Sequence, residues 1–120
     1  MPIREEALVI EDLAGPYPGQ RVFRLSGPLV ISNLFEFQSK VRADTSQALI
    51  LDFSAVPYAD SEGIGALVGG YVSRQKDKRS MSLVGVNDRV RAVLKVTHVE
   101  QFFQFFDSLG AAEQALPHSS

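Results

Sequence analysis

The chain has 120 residues, of which 45% are hydrophobic and 22% charged, with a formal charge of -2 and no cysteine. Those values exclude a disordered polymer, a disulfide scaffold, a thiolate metal site and the dense positive field that nucleic acid or an anionic membrane requires. No apolar run approaches the roughly 20 residues of a membrane-spanning helix, and the acidic start Met1-Pro2-Ile3-Arg4-Glu5-Glu6 does not fit the basic segment of a secretion signal.

The expectation is therefore one domain over residues 1–120, with residues 117–120 as a frayed tail. By elimination it has a cytoplasmic address, with no nucleic acid and no membrane as partner.

Along the chain, Ala7 to Ile10 and Arg21 to Leu25 are short β-rich runs flanking Gly15-Pro16-Tyr17-Pro18-Gly19, which predicts a hairpin. Val30, Leu34, Phe37 and Val41 follow one helical face, so a first helix is expected over about Asn33 to Arg42, capped by Ser32 or Asn33. Ala48 to Phe53 is a near-continuous apolar run, as in a parallel strand covered on both faces. Ile64, Leu67, Val68, Tyr71 and Val72 then recur at helical intervals, ahead of the cations Lys76, Lys78 and Arg79. A second helix over Ser61 to Lys76 follows, with positive charge at its negative end.

Met81 to Val86 reads as a strand, and Asn87 can cap a helix with Val90, Val93 and Leu94 inward. Phe102 to Phe106 is a further strand, its aromatics read mainly as core, followed by Ser108 as cap and a helix from Leu109 to Leu116. The order β-β-α-β-α-β-α-β-α predicts an α/β fold: a mixed, mainly parallel sheet of four to five strands with about four helices.

The residues that carry common enzymatic chemistry are sparse. His98 and His118 have neither a second histidine nor a carboxylate at ligand spacing, so no metal site is expected. Gly63 and Gly65 lack the third glycine and the lysine of a phosphate loop, so no nucleotide cofactor is expected either. As a hydrolase nucleophile Ser61 would lack the Gly-x-Ser-x-Gly elbow and would have only His98 as a base. The chain is expected not to be an enzyme.

Asp60 and Ser61 are both favoured at a helix start, where a side-chain oxygen accepts from a free backbone N–H. An ordinary cap is one reading. The other is a phosphoacceptor: a phosphate on Ser61 would sit at the positive end of the second helix's dipole. Next to Asp60 and Glu62 it would also concentrate negative charge and alter binding more than folding.

The run Leu49-Ile50-Leu51-Asp52-Phe53, followed by Val56-Pro57-Tyr58-Ala59-Asp60-Ser61-Glu62-Gly63-Ile64-Gly65-Ala66-Leu67, resembles the signature of STAS domains, specifically bacterial anti-sigma factor antagonists. Leu25-Ser26-Gly27, Met81 to Val86, Val90 to Leu94 and Phe105 to Leu116 extend the resemblance over nearly the whole chain.

The resemblance implies that an anti-sigma factor serine kinase of the GHKL type phosphorylates Ser61. It implies that the unphosphorylated form binds that kinase to release a sigma factor, and that a PP2C-type phosphatase resets the switch. It makes Asp60, Glu62, Gly63, Ile64, Gly65, Pro28 and Leu29 the expected partner-binding residues of a monomer or weak homodimer, with Gly63 and Gly65 allowing close approach.

Two positions depart from the family pattern. Glu62 stands where a small or hydroxylated residue is common, and Gly27-Pro28-Leu29-Val30-Ile31 is apolar where an acidic residue is common. The alternative they motivate is a STAS scaffold or transport-complex subunit that works without phosphorylation. Gly65, Gly69 and Gly70 inside the second helix each cost about 1 kcal/mol relative to alanine. Close packing of the helix on the sheet is the expected compensation, and a flat partner surface is the alternative.

Overall fold

The computed structural model describes residues 7–116. The expected tail at 117–120 and His118 lie outside the described residues. Five strands, β1 (Val9–Ala14), β2 (Gln20–Ser26), β3 (Ala48–Ala55), β4 (Ser80–Val84) and β5 (Gln104–Phe106), form one sheet in sequential order. β1 and β2 are antiparallel, and the pairs β2–β3, β3–β4 and β4–β5 are parallel. The three parallel steps are bridged by α1 (Leu34–Ala43), α2 (Ser61–Lys76) and α3 (Asp88–Val96), and α4 (Leu109–Ala115) closes the chain.

Because each crossover steps to the next strand in one direction with the same hand, α1, α2 and α3 must fall on one face of the sheet. The core divides accordingly. Phe37, Val41, Ile64, Leu67, Val90 and Leu94 pack on Phe23, Leu25, Leu49, Leu51, Phe53 and Leu83. On the opposite face Ala112 and Leu116 cover Val22, Ala48, Ile50 and Val84. Alternate residues of β3 thus serve opposite layers, as the two-residue period of a strand dictates, and Ala48 to Phe53 are all buried.

Several boundaries differ from expectation for local reasons. The first strand begins at Val9 and continues to Ala14, beyond Ile10. The fourth ends at Val84 because Gly85 turns the chain at φ +68°. The fifth keeps only Gln104 to Phe106, since Glu100–Phe102 forms a 3-10 turn. Of its aromatics, Phe103 is buried, Phe105 and Phe106 are half-buried against the core, and Phe102 is exposed. β5 is a three-residue edge strand, and the layers on its two faces cover Phe105 and Phe106 only in part.

The expected cap of α1 also differs. Asn33 precedes the helix but makes no side-chain cap bond. Its Oδ1 accepts from Val30 N–H at 3.1 Å and its Nδ2 donates to the Pro28 carbonyl at 2.8 Å, so it ties the preceding loop.

Candidate functional site

The loops after β2, β3 and β4 meet at one end of the sheet. Leu29 pairs with Ala59 in a parallel bridge, with Leu29 N–H donating to the Tyr58 carbonyl at 3.1 Å and Asp60 N–H to the Leu29 carbonyl at 3.2 Å. From the loop after β4, Asn87 Nδ2 donates to the carbonyls of Val56 and Pro57 at 3.2 and 3.1 Å, while its Oδ1 caps α3 by accepting from Val90 N–H at 2.8 Å.

Asp60 is the hinge of this cluster. Its Oδ1 accepts from Gly63 N–H at 2.7 Å, closing the first turn of α2, and its Oδ2 accepts from Ile31 N–H at 3.0 Å. One carboxylate therefore caps a helix and latches a loop 29 residues upstream. Ser61, the first residue of α2, is exposed, and its hydroxyl donates to the Glu62 carboxylate at 3.1 Å to one oxygen and 3.3 Å to the other.

The remaining predicted site residues divide by burial. Glu62 and Gly65 are exposed; Pro28, Leu29, Gly63 and Ile64 are buried. In this conformation those four frame the site from beneath. Gly63 is bare because a Cβ there would run into the Leu29 carbonyl oxygen, so the close approach it permits is internal. Gly65 has open space where a Cβ would stand.

Of Gly65, Gly69 and Gly70, close packing explains only Gly70, whose Cβ would lie 2.9 Å from Val41 Cγ1 on α1 and 3.3 Å from Met81 Cε on β4; Gly69 is as open as Gly65.

The sequence reading missed Ile31, Tyr58 and Arg89. Ile31 is the member of the 28–31 loop that reaches the surface, and it is 66% exposed. Tyr58 is half-exposed with the Arg89 guanidinium 5.2 Å above its ring. His98 follows the C-terminal end of α3, whereas the N-terminal cap of that helix is what reaches the site. Among the described residues no group of three or more His, Cys, Asp or Glu could hold a metal ion. No helix among them is long and apolar enough to cross a membrane.

Solved structures with the same fold include an anti-sigma factor antagonist from Mycobacterium paratuberculosis. It has a TM-score of 0.74 and 23% identity, over 89% of this chain and 93% of that one. The Bacillus cell fate determinant SpoIIAA in its phosphorylated form matches with a TM-score of 0.70 and 15% identity, over 90% of this chain and 100% of that one. The murine anion transporter Slc26a9 matches with a TM-score of 0.68 and 26% identity, over 82% of this chain but only 18% of the transporter. The model of the STAS domain family matches residues 14–112, so the chain belongs to the STAS domain family.

Proposed function

We propose that this STAS domain is an anti-sigma factor antagonist switched by phosphorylation at Ser61. Unphosphorylated, it binds a GHKL-type anti-sigma factor serine kinase and so releases a sigma factor. The observation that carries the reading is an exposed serine hydroxyl at the first residue of a helix whose third N–H is already satisfied by Asp60. The helix start can accept added negative charge there without a change in the fold. Similarity to the antagonists above supports the same role.

In the transfer step the Ser61 oxygen forms a bond to the γ-phosphorus of ATP, the bond to the β,γ-bridging oxygen breaks, ADP leaves, and the hydroxyl proton passes to a base on the kinase. The phosphoserine adds about -1.5 to -2 charges at pH 7. Beside Asp60 and Glu62 that charge repels an acidic partner surface and drives separation. A PP2C-type phosphatase restores the hydroxyl by hydrolysis, releasing inorganic phosphate. The domain itself is no enzyme, and it acts in the cytoplasm.

Incubation with ATP and the serine-kinase anti-sigma factors of its source organism, followed by mass spectrometry, is expected to place phosphate on Ser61. An unmodified Ser61 with every kinase would refute the reading. Ser61→Ala is expected to bind permanently, and Ser61→Asp not at all. The likeness to Slc26a9 favours a second reading, a domain of a transport complex. It predicts co-purification with a membrane transporter and no kinase.

A further inference from the structure

A cleft of about 230 Å³ opens between α1 and α2, with Val41 and Arg42 on one wall and Ala66, Gly69 and Arg74 on the other. Gly69 has no purpose inside the fold. A glycine within a helix weakens it relative to alanine, yet a Cβ at this position would meet nothing within 4 Å. The space it leaves bare belongs to the cleft.

Two guanidinium groups line this cleft, and no carboxylate does. Arg74 is 3% exposed. Its side chain reaches the carbonyls of Ser80, Asp44 and Ser46 and the Asp44 carboxylate, which leaves one of its five N–H groups without an acceptor among the described residues. Arg42 is exposed, and its side chain makes no ion pair or hydrogen bond among the described residues.

Charge and size narrow the occupant. The Asp44 carboxylate balances Arg74, so the cleft holds one uncompensated positive charge, that of Arg42, and suits a monoanion. A guanidinium matches a carboxylate through two parallel N–H donors. Val41 and Ala66 offer an apolar wall, and the volume corresponds to about eight waters of liquid, room for a body of under about ten heavy atoms.

We infer that the cleft between α1 and α2 binds a small monocarboxylate. Its carboxylate lies on the Arg42 guanidinium and the spare N–H of Arg74, and its apolar body lies against Val41, Ala66 and the bare backbone of Gly69. Gly69 is two turns along α2 from Ser61, about 12 Å at 1.5 Å per residue, and the site uses none of the residues around Ser61. It is independent of the switch, and each can fail without the other.

The test is a nuclear magnetic resonance titration of the full chain with benzoate, its neutral isostere benzamide, acetate and inorganic phosphate. It follows the amides of Ala66, Gly69 and Gly70 and the Nε–H of Arg42. Benzoate is expected to shift these signals saturably, half-saturating at or below about 10 mM, and benzamide to bind at least about tenfold more weakly. Gly69→Leu fills the bare space with a good helix former, and Arg42→Gln removes the cation. Each is expected to melt at or above the parent temperature and to weaken benzoate at least about tenfold.

The absence of saturable shifts, equal binding of benzamide, or parental affinity in both variants overturns the site. Acetate or phosphate binding as tightly as benzoate reduces it to a bare anion on a surface arginine and overturns it too.

Discussion

Asp60 acts through both carboxylate oxygens, one on the N–H of Gly63 and one on that of Ile31. Loss of a helix cap costs about 1 kcal/mol, and the second bond adds to it. Asp60→Ala is expected to lose about 1–2 kcal/mol in urea melts and to speed hydrogen exchange at the Ile31 amide, with Asp60→Asn in between. Unchanged exchange at Ile31 would remove the latch. The glycines of α2 separate in the same way. Gly63→Ala presses a methyl group against a backbone carbonyl and is expected to cost about 1–3 kcal/mol. Gly65→Ala meets nothing within 4 Å and is expected to gain up to about 1 kcal/mol. At this scale the cap was legible from Asp60-Ser61 alone. The latch was not, because no spacing rule links Asp60 to an N–H in another loop.

α2 is the element the sequence described best: its apolar period and its cap set both ends, and the observed bounds Ser61–Lys76 are those expected. What the pattern concealed is Arg74. It continues the inward series Ile64, Leu67 and Tyr71 by three residues, yet stands just ahead of the cations Lys76, Lys78 and Arg79 and reads as one more charge at the helix end. Arg74 is buried, with Nη1 on Asp44 Oδ2 at 2.9 Å, Nη2 on the Ser46 carbonyl at 2.7 Å and Nε on the Ser80 carbonyl at 3.0 Å. Burial lowers its pKa from the ordinary guanidinium value, against the pull of the Asp44 carboxylate. It thereby pins the end of α2 to the entries of β3 and β4. Arg74→Met would take the buried cation from the Asp44 carboxylate, which keeps the Ser46 amide and hydroxyl as donors, and from the carbonyls of Asp44, Ser46 and Ser80, and is expected to cost about 3–5 kcal/mol in denaturant unfolding. Arg74→Lys is expected to recover only part, because an ammonium lacks the fork. Full stability in Arg74→Met would show the network to be dispensable.

Across the whole molecule, sequential strand order puts three crossover helices on one face and brings the loops after β2, β3 and β4 to one end. The strand and helix order was legible from alternating two-residue and helical periods. The exposed Ile31 was not, because an apolar loop reads the same in sequence whether its residues turn inward, as Pro28, Leu29 and Val30 do, or outward. The scaffold holds Ser61 at the surface on a capped helix start, so modification there is expected to change who binds and to leave the fold alone. The most direct test is the affinity of the anti-sigma factor kinase for two forms of this domain, one carrying serine at position 61 and one carrying phosphoserine installed during synthesis. The account predicts binding of the serine form and a loss of roughly 100-fold or more for the phosphoserine form, with both forms melting alike; equal affinity for the two would contradict it.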